Sequence, residues 1–449
     1  MFKLPVLFLT FLAIVTTASA QGQTDNPVQK RVEMAVSQLK SGNADQQFAA
    51  LAELGDMGPL AKSAVSDLVA TLKASNDIAL QHEVLIALER IGTEANSAIP
   101  TIAKYLDNES PVLQHQALHT LRQMGPLAKP VVPQVLKALE SQSPVISTAA
   151  AWTLASIADD VTVKRQAALV LVNGLKSKDP NILSDSVTGL SELGKPAVSG
   201  LSNLLSDSNS AIAMHAADAL GLMGPVAAPA TGELLKSLQH QDENVAAHAA
   251  QALGAIASNP KTVVPALTEQ LGSQSEMIRI ASAFSLGRFG GDAKSAVPQL
   301  AKTLSDSSVD VRVAAAQALA SIGPDAAGAV PQLNKAIDDT AGLVTLSAFE
   351  ALGAIKGPAV DVLVQRMDDP NYLPLAAAVL GQIGPDAAPA TLSLVNRLQS
   401  TKDPEAQFEI LVALGSIGPK AEKAVEPLMK LAKTGKDRTR RGAIYALAK

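Results

Sequence analysis

His115 and His119 stand four residues apart, a spacing that puts both imidazoles on one face of an α-helix and within reach of a shared metal ion. His82 precedes His115 by 33 residues and is followed by Glu83, and Trp152 is the only tryptophan of the chain. Two ligands on one helix are not a metal site, because a bound ion needs three or four donors held by partners of their own. No metal and no cofactor are therefore expected. With no cysteine in 449 residues, the chain has no disulfide, thiolate site, thioether-linked haem, lipoprotein anchor or cysteine nucleophile. It also lacks a phosphate-cradling glycine loop, a nucleophile elbow, a His-Glu-x-x-His zinc motif and a dinucleotide fingerprint. No catalytic residue emerges, and the expectation is a protein that is not an enzyme.

The residues around these side chains are those of a helical chain. Aromatic residues make up 3% and charged residues 18%, while Ala and Leu recur throughout, which suits small-residue helix packing. Residues 1–20 have the pattern of an export signal: Lys3 as a short positive region, an apolar run from Leu4 to Val15, and Ala18-Ser19-Ala20 as a small-residue cleavage site before Gln21. The apolar run falls short of the roughly 20 residues that span a bilayer, and no later segment is expected to reach that length. The mature chain, residues 21–449, is thus expected to be periplasmic or secreted, with no transmembrane segment. Removal of the leader takes away Lys3 and no acid, making the formal charge of −5 more negative by one. An acidic chain poor in aromatics is not expected to bind nucleic acid, which needs a basic stripe and stacking rings.

Glycine-centred turns recur at a fixed interval. The steps from Gly224 to Ala257, Gly290 and Gly323 are each 33 residues, with shortened turns at Gly194-Lys195-Pro196 and Lys356-Gly357-Pro358. Such a period marks a solenoid. Within one unit, Val311, Ala315, Ala318, Leu319 and Ile322 form an apolar stripe at the α-helical period. Gly323 is expected to end that helix in the left-handed region, and Pro331 to sit in the first turn of the next. A lone hairpin cannot bury its stripe, so each must lean on its neighbours. The fold class that follows is all-α, an α-solenoid of about twelve helical-hairpin repeats and an incomplete last unit ending at Lys449.

The run Val311-Arg312, Ala315, Ala318-Leu319, Ile322-Gly323-Pro324 resembles HEAT repeats, especially the subtype named for phycobilisome lyases, across residues 26–449. The resemblance implies a right-handed superhelix of armadillo-like type. The Asp and Arg ladder of such repeats looks fragmentary: Asp306 and Arg312 match it, whereas Arg279 and Arg440 have no aspartate at the corresponding position. His82-Glu83 invites comparison with deoxyhypusine hydroxylase, a di-iron HEAT enzyme. The likeness fails, because Gln116 follows His115, and His215 and His248 are each followed by alanine.

The resemblance also implies that second helices line the concave surface, which makes the helix positions opposite the apolar stripe a map of the groove. In successive units these are His82, Ile86 and Glu89, then His115, His119 and Arg122, then Thr148, Trp152 and Ala155. They form a candidate patch for a polar ligand or peptide, with Trp152 as anchor and Glu89 and Arg122 giving orientation. Farther along, the same positions turn apolar: Met214 with Asp218, Ile280 with Phe284, Val313 with Gln317, Leu346 with Glu350, and Phe408 with Val412. This row is either a partner-binding groove or a set buried by strong curvature. Near the C-terminus, Lys430, Lys433, Lys436, Arg438, Arg440 and Arg441 enclose only Asp437. Cations at a helix C-terminus are mildly stabilising, and such a region can touch an anionic surface.

The expected function is an exported, non-catalytic scaffold that binds a protein or peptide along its concave face. Two alternatives stand beside it: a tetrapyrrole lyase-like or metal-binding accessory protein, and a structural subunit of an envelope complex.

Overall fold

The computed structural model describes residues 27–449, apart from the side chain of Asp437; the expected leader, residues 1–20, lies outside the described residues. Among the described residues there are thirteen helix pairs and no strand. They form two compact units, one ending at Val131 and the other running from Val132 to Lys449. The first holds three helix pairs and the second ten. In each unit, every second helix packs on its own first helix and on the second helices before and after it. The final pair is Val425–Thr434 and Asp437–Leu447, the latter being the second helix expected before Lys449.

Local sequence sets the helix boundaries. Second helices begin after a polar cap: Asp77 accepts from the backbone N–H of Ala79 at 2.8 Å, and Asp179, Asp242 and Asp403 cap their helices in the same way. The helix Val309–Ile322 buries all five stripe residues, Val311, Ala315, Ala318, Leu319 and Ile322. Gly323 ends it with φ 69° and ψ −136°. The positive φ is as expected, but ψ corrects the left-handed assignment: the residue occupies a mirror-extended region open to a residue without a Cβ. A 3₁₀ turn, Gly323–Ala329, then leads into Val330–Ala336, with Pro331 in its first turn. In the shortened turn after Ile355 the same conformation falls on Lys356, with φ 66° and ψ −130°. Gly194 serves there in the other short turn. A side chain held in this region costs about 1–3 kcal/mol.

Residues Ser210–Ser237 have the length and mean apolarity of a bilayer-spanning helix, which corrects the expectation that no segment after the leader does. The stretch is two helices, Ser210–Met223 and Thr231–Ser237, separated by a 3₁₀ turn with Pro225 and Pro229. Ile212, Ala216, Leu220 and Leu234 are buried by neighbouring helices.

The charge ladder also differs from expectation. Arg279 grips Asp306 through Nε at 2.8 Å and a terminal nitrogen at 2.9 Å. Arg312 grips Asp339 in the same way at 2.7 and 2.9 Å. Each arginine therefore pairs with the aspartate of the following hairpin, and Arg279 does have its acid. These four side chains are only 12–14% exposed. Hydrogen bonds from Arg312 hold the Asp339 carboxyl below the usual carboxylate range against the opposing effect of burial.

Successive second helices meet at small residues. A Cβ on Gly254 would lie 2.5 Å from the Ser285 Cβ and 2.7 Å from its Cα, and one on Gly221 or Gly287 would lie 3.2 or 3.1 Å from the Cα of Ala252 or Ala318. The Ser285 hydroxyl donates to the Ala250 carbonyl at 2.8 Å across the same contact. In the first unit Thr120 donates to the Leu85 carbonyl at 3.1 Å. Gly254→Ala should therefore destabilise the protein by about 1–3 kcal/mol through forced separation of two helices, despite alanine's better helix propensity. Gly232→Ala, with nothing within 4 Å of the new methyl, should be neutral or stabilising by up to about 1 kcal/mol. Urea unfolding of the two variants checks the opposite signs; equal effects would reject the close-contact account.

Candidate functional site

In the first unit, the helices Ile78–Ile91 and Pro111–Gln123 bring the expected polar residues to adjacent second helices. The His115 and His119 rings stand 4.4 Å apart at 47°. Gln116 donates to the Glu89 carboxylate at 2.6 Å, tying the acid to the neighbouring helix. His82 Nδ1 lies 3.5 Å from Glu83 on its own helix. Burial, then the neighbouring His115 and Arg122, pushes His119 down to about 4, and burial followed by His82 lowers His115. Both rings are thus neutral near pH 7. Trp152 belongs to the second unit, half-buried on Pro144–Ile157. Its Cβ lies 3.2 Å from where Gly189 would carry one.

In the second unit the row of second helices carries two adjoining clefts. The larger, about 770 Å³, is lined by residues of five helices, among them Asp218, His248, Ile280, Phe284, Val313 and Gln317. The smaller, about 460 Å³, runs on past Arg288 and Ser321 to Glu350. Phe284, Arg288 and Gln317 line both. Phe284 keeps 55% of its surface exposed, so curvature does not bury it. The depth comes from alanines: Ala217, Ala252, Ala255, Ala281 and Ala314 form much of the lining. Asp218, Asp310 and Glu350 bring acids to the groove, and Arg288, whose Nε donates to the Gly254 carbonyl at 3.0 Å, brings a cation.

The apolar row is thus not continuous. Ile280 and Phe284 share the larger cleft, whereas Leu346, 54% exposed, lines neither cleft, and Phe408 lines a separate pocket with Val412. Sequence reading missed Arg288 and the role of His248. His248 hydrogen-bonds Asp218 of the preceding second helix, and His215 Nδ1 stands 3.8 Å from the same carboxylate. Asp218 was visible at a groove position, but its partner lies nearer the edge of the apolar stripe, and only the helix crossing brings the two together.

The half-buried imidazoles of His248 and His119 are shifted in opposite senses. The hydrogen bond that the His248 ring donates to the Asp218 carboxylate raises the His248 pKa against burial. Its contribution to stability is therefore complete below the unfolded value near 6.5 and is lost as pH rises through the raised value. The lowered pKa of His119 has the reverse effect: its contribution is complete above about 6.5 and is lost as pH falls towards about 4. Urea midpoints should show His248→Gln more damaging at pH 6 than at pH 8.5, and His119→Gln should flatten the wild-type loss of stability between pH 7 and pH 5. NMR titration of the two rings provides the direct check.

The HEAT repeats family matches residues 65–155, 231–303, 297–380 and 374–448. No curated protein matches the chain. Among solved structures, it is similar to a Kap95:Nup1 complex, at 15% identity and a TM-score of 0.62, over 93% of this chain and 66% of the other. It is also similar to Kap121p bound to Ste12p, at 13% identity and a TM-score of 0.54 over 94% and 52% of the two chains. The karyopherin Kap121p bound to the SUMO protease Ulp1p matches at 12% identity, a TM-score of 0.54 and the same coverage. The chain spans about half the length of the Kap121p chains it matches, and at these identities the likeness concerns the fold. With the glycine turns, the buried helical stripes and the repeat matches in agreement, the chain belongs to the HEAT-repeat family.

Proposed function

We propose that this protein is an exported, non-catalytic scaffold that holds an extended segment of a partner protein along the second helices of its second unit. The observation that carries the reading is Phe284, an aromatic ring more than half exposed at the junction of two adjoining clefts. Large apolar side chains left open in a cleft are the usual anchors of protein recognition. The acids Asp218, Asp310 and Glu350 outnumber Arg288 in the lining, which favours a segment carrying Lys or Arg beside its apolar anchors. The solved structures of similar fold include complexes of Kap121p with Ste12p and of Kap95 with Nup1, which supports the same class of ligand. Export rests on the leader pattern of residues 1–20.

The neutral pair His115 and His119 favours one second reading, an accessory protein for a tetrapyrrole or a metal ion. Absorption and metal analysis of purified protein separate the two, since a scaffold of the kind proposed emerges colourless and metal-free.

Affinity capture from envelope extracts with wild type and Phe284→Glu tests the main reading. A partner held by wild type should bind the variant more weakly by about 2 kcal/mol, roughly thirtyfold in Kd, with the circular dichroism unchanged. A partner held equally by both proteins would move the binding surface elsewhere. Expression of the full chain in a bacterial host should yield a mature N-terminus at Gln21, and retention of Met1 in the cytoplasm would remove the export part.

A further inference from the structure

We infer that a second site in the second unit, the pocket between the helices Pro404–Ile417 and Asp437–Leu447, binds a carboxylate carried on a compact apolar group. The pocket holds about 540 Å³ and shares no lining residue with the Phe284 clefts. Phe408, Leu411 and Val412 come from one helix, and Arg438, Arg441, Gly442 and Tyr445 from the other. At its floor the helices touch: a Cβ on Gly442 would fall 2.7 Å from Leu411 Cδ1. Above that contact the rings of Phe408 and Tyr445 remain 39% and 47% exposed, with the Lys449 ammonium 5.7 Å from the centre of the Tyr445 ring.

The polar side of the pocket points to an anion. The Arg438 guanidinium lies 5.0 Å over the Phe408 ring, and stacking of this kind orients its planar fork. Four arginines elsewhere in the unit have acids: Arg279 has Asp306, Arg312 has Asp339, Arg366 has Asp338 and Arg397 has Asp368. Among the described side chains no carboxylate pairs with Arg438. The sequence suggested that this basic run stabilises a helix C-terminus. Lys433 does lie in the last turn of Val425–Thr434, but Arg438 and Arg440 fall in the first turn of Asp437–Leu447, where cations oppose the helix dipole. Arg438 therefore stands at the start of a helix and not at its end, with its guanidinium in the lining of the pocket. A planar guanidinium pairs best with a carboxylate through two parallel hydrogen bonds, and the adjoining rings take an apolar body of the kind found in a phenylalanine or leucine side chain.

That chemistry is shared by a free aryl or alkyl acid and by the C-terminal residue of a polypeptide, and the probes separate them. Calorimetry on the full-length mature protein would compare 3-phenylpropionate with its amide, and a short peptide ending in phenylalanine with the same peptide amidated. The carboxylates should bind at least about tenfold tighter than the amides. Arg438→Gln should abolish that preference, and Arg438→Lys should keep only part of it. Chemical-shift changes should centre on Gly442 and Tyr445. Tighter binding of the peptide than of the free acid assigns the site to chain termini, and equal binding assigns it to small acids. Equal affinity for acid and amide, a preference untouched by Arg438→Gln, or no binding at about 10 mM, far weaker than a specific site, overturns the inference. None of these results alters the Phe284→Glu experiment, because the two sites are lined by different residues.

Discussion

The second unit depends on how closely its second helices can approach one another. At Gly254 the neighbouring Ser285 stands where a methyl group would have to go, and Gly221 and Gly287 occupy equivalent places one repeat to either side. These contacts bring backbone to backbone, so Ser285 can reach a carbonyl of the preceding helix. A one-dimensional array draws nearly all its stability from such neighbour contacts. The helix spacing they impose also sets the depth of the clefts, because alanines line the space between close helices and leave room above them.

Within that frame a single bulky side chain has a large effect. Phe284 rises from a lining composed mainly of small residues and divides the surface into two connected clefts. Isolated apolar residues on a surface mean little; here the ring is flanked by Ile280 and Val313 and edged by charge. Leu346 shows the contrast, equally apolar and equally exposed yet outside either cleft.

Charge is used in two ways along the same unit. The Arg279–Asp306 and Arg312–Asp339 pairs are bidentate and largely withdrawn from water, and by reaching to the next hairpin they fix the register of one repeat on another. The Asp218–His248 contact also links neighbouring hairpins, but it lies in the groove wall and raises the pKa of the imidazole it holds. Arg438, stacked on the Phe408 ring with no carboxylate partner among the described side chains, belongs to neither class.

The repeat, the helix periods and most helix ends are legible in the order of residues alone. Apolar stripes, Asp caps, glycine turns and prolines act within one hairpin, and their spacing is read directly along the chain. It also marked Ile280, Phe284, His115 and His119 as facing the surface of the second helices, since a helix wheel needs only the period. Tertiary structure alone decided which of these side chains meet. Arg279 finds Asp306 across 27 residues, His248 finds Asp218 across 30, and Phe408 leaves the expected row to face Arg438 and Tyr445. The angle and distance between successive helices fix such pairings, and those depend on how far two backbones can close on a glycine, a quantity that no single hairpin's pattern contains.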